Sequence, residues 1–327
     1  MKLIVDVMGE NPVKKIINGL RKFKSIHSDV ELIILGNENE IKNTLTDKDQ
    51  FTIVNCDKAV TPESHLPSIL RDKETSMYKG LSMVQNNEAD GMLSAGYTPA
   101  YVTLSHLLIK PINGINKPAF MSYVPTSNNR GFIFLDVGAN INCSGEDLYQ
   151  FAIMANIYSK TIRKIENPAI NVLNIGTEET KGFEFHKNAN ELLKNDKSLN
   201  YQGFIESREL SSGITDIVVC DGYSGNLGLK ALEGCLLAIN SLLKKEYKKP
   251  KNWLGALFSI GVIKKIKKAF DYKNHAGAFV IGLNKNIVKT HGNAKDKEFF
   301  SALCMLYDSV KYDLTKKIED GINARSK

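Results

Sequence analysis

The feature that most constrains this chain is an alternation. Short apolar runs end in small polar turns, and each turn hands over to a stretch with helical periodicity. Lys2 to Met8, Glu31 to Leu35, Gly91 to Ser94, Gly131 to Leu135, Ala169 to Ile175 and Ile217 to Cys220 follow this rule. Strands alternating with helices predict a mostly parallel sheet with right-handed crossovers, hence a three-layer α/β/α sandwich. In such sheets ligands gather beyond the carboxyl ends of the strands. The turns Ser94-Ala-Gly96, Asp136 to Asn140, Gly176 to Gly182 and Asp221 to Asn226 all fall at that edge, which argues for a site there. In Asp216 to Lys230 the strand through Cys220 leads into a turn of Asp221, Gly222, Ser224, Gly225 and Asn226, with a helix expected from Leu227. A glycine-rich turn opening a helix is a natural anion seat. On the stretch alone the favoured reading is a tight strand-to-helix connection that needs glycine for backbone geometry.

The remaining elements follow from periodicity and punctuation. Pro12 suits the first turn of a helix through Ile16, Ile17 and Leu20. Further strands are expected at Phe51–Cys56, Ala119–Val124, Tyr201–Ile205, Ala276–Leu283 and Ile287–Thr290. Further helices are expected at Tyr78–Asn87, Thr98–Ile109, Glu146–Lys164, Ala189–Leu193 and Phe299–Ile318. The polar stretch from Asp57 to Lys79 carries no legible pattern. With 43% hydrophobic and 24% charged residues, the chain has ample core to fold without staples. Cys56, Cys143, Cys220, Cys235 and Cys304 show no metal or redox spacing and read as free thiols. The opening Met1-Lys-Leu-Ile-Val-Asp6 turns acidic too soon for a signal peptide, and no stretch approaches a membrane span. A cytoplasmic protein is expected.

Several chemistries lose support. No GxGxxG follows the first strand, and neither GxxxxGK[ST] nor GxSxG occurs. His27, His65 and His106 read as surface or structural residues, and His186 lies on a helix two residues after Glu184, which is no metal-ligand pattern. Two residues stand apart. His291 follows a strand, in Val288-Lys-Thr-His-Gly292, and its functional and structural readings balance. Lys181 precedes Gly182 after a strand, where an exposed solvated lysine and an anion-binding lysine are equally plausible.

The segment 244–273 holds Lys244, Lys245, Lys248, Lys249, Lys251, Lys264, Lys265, Lys267, Lys268 and Lys273 against Glu246 and Asp271. It therefore accounts for the whole net charge of +7, which excludes a basic nucleic-acid surface spread over the fold. At helical spacing Phe258, Val262, Ile263, Ile266, Ala269 and Phe270 share a face opposite Lys264, Lys265, Lys267 and Lys268. Such a helix suits an anionic membrane surface, or packing against its own protein or a second copy.

Ordered blocks along the chain carry a family resemblance: Val5-Asp-Val-Met-Gly9, Asp90 to Gly96, Asp136-Val-Gly-Ala-Asn140, Ile165-Glu-Asn-Pro168, Asn174-Ile-Gly-Thr-Glu-Glu-Thr-Lys-Gly182, Val219-Cys-Asp-Gly-Tyr-Ser-Gly-Asn226 and Lys289-Thr-His-Gly292. Together they resemble the bacterial phosphate acyltransferase (PlsX) family of phospholipid synthesis. The resemblance implies one domain over 1–327 with a fold like isocitrate dehydrogenase and phosphotransacetylase. It implies an enzyme that moves a fatty acyl group from acyl carrier protein to inorganic phosphate, without metal or cofactor. It further implies a homodimer, peripheral association with an anionic membrane through 253–270, and delivery of acyl phosphate to a glycerol-3-phosphate acyltransferase. Under that reaction Lys181, Asn226 and His291 are the expected catalytic residues. Phosphate falls to Lys181 and the turn Gly222, Ser224, Gly225 and Asn226, while Asp136, Asn140 and Asp221 order the turns by hydrogen bonding. Ser94 and Thr98 are further binding candidates. The chain departs from the family where Asp6-Val-Met-Gly-Glu10 stands for a fuller acidic-glycine opening, and where Tyr97 and Pro99 replace small or amide residues. Two other readings are a phosphotransacetylase-like enzyme using acyl-coenzyme A, and a non-catalytic scaffold binding acyl carrier protein or lipid.

Overall fold

The computed structural model describes residues 1–9, 13–61, 63–64, 66–270 and 277–325. Expectations resting on Glu10, Pro12, His65, Lys273 and Ala276 lie outside the described residues. The chain forms two compact units. One comprises 1–122, 157–166 and 273–327, the other 123–156 and 167–272.

The first unit opens with β1 (Lys2–Asp6), α1 (Ile17–Ile26), β2 (Glu31–Gly36), α2 (Glu38–Lys42) and β3 (Thr52–Asn55). Next come α3 (Leu66–Arg71), α4 (Ser76–Gln85), β4 (Gly91–Ser94), α5 (Thr98–Leu108) and β5 (Ala119–Val124). The chain continues through β6 (Phe132–Leu135), α6 (Gly145–Thr161), β7 (Ala169–Asn174), α7 (Glu184–Asn195), β8 (Asn200–Glu206) and β9 (Ile217–Val219). It then forms α8 (Gly222–Tyr247) and α9 (Trp253–Ala269), and closes with β10 (Ala278–Ile281), β11 (Asn286–Lys289), α10 (Asp296–Lys311) and α11 (Leu314–Asn323).

In the first unit the strand order is β3-β2-β1-β4-β11-β10-β5, parallel except where β10 meets β11 and β5. In the second it is β6-β9-β7-β8, all parallel. Central strands such as β4 and β9 are buried along their full length, as expected where helices cover both faces. Helix starts follow local capping. Asn37 accepts from the Glu40 N–H (3.0 Å), Thr75 from Tyr78 (3.3 Å) and Asp221 from Ser224 (2.9 Å).

Three boundaries differ from expectation. Helix α7 begins at Glu184 rather than Ala189. The C-terminal helix is two helices, because Asp313 adopts left-handed backbone (φ 50°) between α10 and α11. The helix expected from Leu227 begins at Gly222, so Gly222, Ser224, Gly225 and Asn226 form its opening turns rather than a loop. The glycines there answer a different need. A Cβ at Gly225 would lie 1.9 Å from the Asp136 carbonyl oxygen, and one at Gly222 2.7 Å from that of Asn140. They let a helix start against a neighbouring strand end, so backbone freedom is not their role.

Candidate active site

The second unit concentrates the expected site residues at the carboxyl ends of three adjacent strands. β9 lies between β6 and β7, so the turns following Leu135, Asn174 and Val219 are neighbours. Asp136, fully buried, binds its own loop through its carboxylate. It accepts from the N–H groups of Gly138 (3.0 Å), Ala139 (2.9 Å) and Asn140 (2.7 Å), and from the Asn140 amide (2.8 Å). Gly222 N–H donates to the Asn140 carbonyl at 2.7 Å, which fastens that loop to the start of α8. Asp136 and Asn140 therefore order the turn.

The start of α8 is already well hydrogen-bonded within the protein. Gly222 N–H is taken by Asn140, Ser224 N–H by the Asp221 carboxylate, and Gly225 N–H by the Asp221 carbonyl (3.0 Å). These backbone donors serve the fold. Asn226 is placed differently: its Nδ2 donates to the Val137 carbonyl at 3.0 Å. An amide nitrogen carries two hydrogens, so this bond fixes the amide plane and leaves a second N–H to offer. Gly138 lies beneath it, at φ 134°, where a Cβ would approach Nδ2 to 2.8 Å. The Asn226 amide is thus a rigid donor above a glycine floor.

Lys181 sits on the turn after β7, exposed, with its stem beside Gly176. Its backbone is held at both ends, N–H to the Glu178 carbonyl (3.0 Å) and carbonyl accepting from Asn174 Nδ2 (3.1 Å). Gly182 follows at φ 87° with the Asn174 amide against it, a position where a side chain would clash and strain. Glu179 beside it pairs with Lys194 instead.

His186, which has no metal-ligand pattern around it, takes a structural place beside this edge. It lies in the first turn of α7, buried, and its Nδ1 accepts the Phe183 N–H at 3.1 Å. The neutral ring therefore carries its proton on Nε2. Burial lowers its pKa, opposed by the nearby Asp221 charge, which links the starts of α7 and α8 electrostatically. Cys220 is held as a neutral thiol, far above its usual range, by burial and then by Asp136 and Asp221.

Ser94, Thr98 and His291 belong to the first unit. Ser94 is fully buried at the end of β4, and its hydroxyl donates to Asp6 (2.7 Å) while accepting Gly96 N–H (3.0 Å). Thr98 is half-buried at the start of α5, and His291 is exposed after β11. Asp6, itself fully buried, also accepts Met8 N–H (3.1 Å) and the Ser76 hydroxyl. Ser76 comes from the end of the polar stretch whose pattern was illegible.

Comparison with known proteins places this geometry in a family. The model of the fatty acid synthesis protein family matches residues 1–317. A phosphate acyltransferase of Malacoplasma penetrans is 46% identical over 312 residues, spanning 95% of this chain and 94% of that protein. One from Mycoplasmoides gallisepticum is 44% identical, with 97% of each covered. Among solved structures, a Streptococcus pyogenes phosphotransacetylase superposes with a TM-score of 0.58 at 18% identity, covering 98% of this chain and 94% of that one. Isocitrate dehydrogenase from Methylococcus capsulatus gives 0.51 at 8% identity, with 98% and 91% covered. These two share the fold expected from the sequence, and their identity is too low to carry function. The full-length relatives carry more: the chain belongs to the fatty acid synthesis protein family and, within it, to the phosphate acyltransferases, which are acyl-transferring enzymes.

Proposed function

We propose that the chain transfers a long-chain fatty acyl group from acyl carrier protein to inorganic phosphate, giving the acyl phosphate used in phospholipid synthesis. The observation that carries this reading is that the exposed Lys181 and the locked Asn226 amide follow adjacent strands, β7 and β9, at one edge of the sheet. A phosphate oxygen attacks the thioester carbonyl carbon, the carbonyl oxygen takes up negative charge, and the C–S bond then breaks. Thiolate is a competent leaving group, so no covalent enzyme intermediate is required. The protein supplies orientation and charge stabilisation. Lys181 holds the phosphate, and the free N–H of Asn226 meets the developing oxyanion. His291 is proposed as a further catalytic residue, on the first unit.

In α9, Trp253, Leu254, Leu257, Phe258, Ile260, Val262 and Ile266 are exposed, as are Lys264 and Lys265. Of the face expected to be apolar, Ile263, Ala269 and Phe270 are half-buried, and Ser259 bonds the Tyr247 hydroxyl of α8 at 3.0 Å. Among the described residues no helix is long and apolar enough to cross a membrane. The apolar exposure with flanking lysines supports peripheral association with an anionic surface, where acyl phosphate would pass to a glycerol-3-phosphate acyltransferase. A homodimer is part of the same reading, and sedimentation tests it.

Purified protein incubated with palmitoyl-acyl carrier protein, palmitoyl-coenzyme A or acetyl-coenzyme A, with and without phosphate, tests the proposal through thiol release. Phosphate-dependent release from the carrier substrate is expected. Preference for a coenzyme A thioester would favour the phosphotransacetylase-like reading. Silence with every donor would leave only a binding scaffold.

A further inference from the structure

The first unit carries a buried polar row that the mechanism above does not use. Asp6, Ser94 and Lys289 end three adjacent parallel strands and stand in register, Asp6 opposite Ser94 and Ser94 opposite Lys289. All three are buried, Lys289 at 3% exposure and the other two at 0%. The Ser94 hydroxyl donates to Asp6, and the Lys289 charge lies close enough to favour the Asp6 carboxylate. A buried lysine and a buried aspartate are each costly alone, and here the strand carrying Ser94 separates them.

From this row, bonds run outward into the turns that follow each strand. Lys289 Nζ donates to the Thr290 carbonyl, Thr290 N–H to the Ser94 carbonyl (2.9 Å), and Ala95 N–H to the Asp6 carbonyl (3.3 Å). The Ser94 hydroxyl receives Gly96 N–H, and the Asp6 carboxylate receives Met8 N–H. The turns themselves touch. A Cβ at Gly9 would lie 2.8 Å from the Gly292 carbonyl oxygen and 3.0 Å from Ala95 Cβ. One at Gly96 would lie 2.2 Å from the Met77 side chain. The backbone of 94–96 and of 290–292 therefore has little room to move, and these segments lead to Thr98 and His291.

We propose that Asp6, Ser94 and Lys289 are positioning residues, a buried row in register that fixes the turns presenting Thr98 and His291 for acyl transfer. The row rests on the acyltransferase reading for its purpose, though not for its geometry. Ser94 acts through its neighbours, its hydroxyl being committed to Asp6 and Gly96. Breaking the row loosens both turns and slows acyl transfer, while the phosphate seat around Lys181, on other elements, is untouched.

The test uses the full chain in two forms. In the pair Asp6→Asn with Lys289→Met both charges go and the side-chain shapes stay. Each single variant should lower the melting temperature, and the pair should recover most of that loss. The positioning role predicts that the recovered pair still has kcat reduced about tenfold or more with phosphate KM unchanged. A pair that regains both stability and kcat overturns the proposal, since the row would then be structural only. Ser94→Ala is the second variant, should the pair not fold. It should speed amide exchange at Gly96 and Thr290 and lower kcat with little change in melting; wild-type exchange at both amides overturns the proposal. Because exchange needs no substrate, it reads the row even if the wild-type protein releases no thiol, a result that would count against the function alone.

Discussion

Asp6 and Asp136 pose the same problem, and the two units solve it differently. Each is a fully buried aspartate at a strand end followed by valine, and each accepts the N–H two residues on, from Met8 at 3.1 Å and Gly138 at 3.0 Å. Asp136 then gathers the N–H groups of Ala139 and Asn140 and the Asn140 amide, all within four residues. Asp6 turns to Ser94, 88 residues away, and to Lys289 on a third strand. Burial raises the Asp6 pKa in spite of these partners, so its charge is held less securely than the contacts suggest. A carboxylate solvated by its own loop makes a self-contained turn. One solvated across strands ties separate turns together. The first suits a rigid donor such as Asn226, and the second suits alignment of distant segments.

Asp136→Ala should break the local solution most severely. It leaves three backbone N–H groups and one amide without their acceptor, at about 1–3 kcal/mol for each that stays unsatisfied. Denaturant unfolding should register a loss above about 3 kcal/mol. A loss too small to resolve would mean that water replaces the carboxylate, and the contrast with Asp6 would weaken. Gly225→Ala attacks the same turn from the helix side. Its Cβ would sit 1.9 Å from the Asp136 carbonyl oxygen, and overpacking of this kind costs about 1–3 kcal/mol or more. Thiol release should fall with stability, because the start of α8 also carries Asn226.

Arg130→Ala probes the opposite end of the second unit's sheet. Arg130 forks onto Asp216 at 2.9 and 3.0 Å, and Asp216 also accepts Ala169 N–H at 2.9 Å. Asp216 is buried while Arg130 is largely exposed, so water can partly replace the guanidinium. A loss of about 1 kcal/mol is expected in chemical denaturation, with phosphate KM unchanged because this pair lies at the amino ends of β7 and β9. A raised phosphate KM would show that the two ends of the sheet are coupled.

The smallest effect is one of pH. His186 and His106 both have pKa values lowered from 6.5 by burial, the first opposed by Asp221 and the second by a backbone hydrogen bond at Pro118. A histidine with a depressed folded pKa binds its proton more readily when unfolded. Its contribution is intact above 6.5 and is lost as pH falls through the folded value. Melting temperature should therefore drop as pH falls below about 6.5, and His186→Gln should flatten part of that slope. An unaltered slope would assign the effect to His106.

Local pattern made the second unit's edge legible. Asp136 to Asn140, Asn174 to Gly182 and Asp221 to Asn226 are contiguous, so one reading of the chain finds most of the contacts that matter. It misassigned the start of α8, because close approach and turn freedom both select glycine. The first unit's row was hidden, since Asp6, Ser94 and Lys289 meet only once parallel strands set their register. Ser76 was hidden in a stretch with no periodicity, and His186 because a buried capping histidine looks like any other on a helix. The break at Asp313 has no local signal either, since aspartate only tolerates left-handed backbone without announcing it.

The central claim is that phosphate is bound at the second unit's edge by Lys181. Steady-state thiol release from palmitoyl-acyl carrier protein, with phosphate varied, tests it in the Lys181→Ala variant. The account predicts a phosphate KM raised about tenfold or more, with melting unchanged because the side chain is exposed. A variant with wild-type phosphate KM and kcat would contradict it and move the phosphate seat elsewhere.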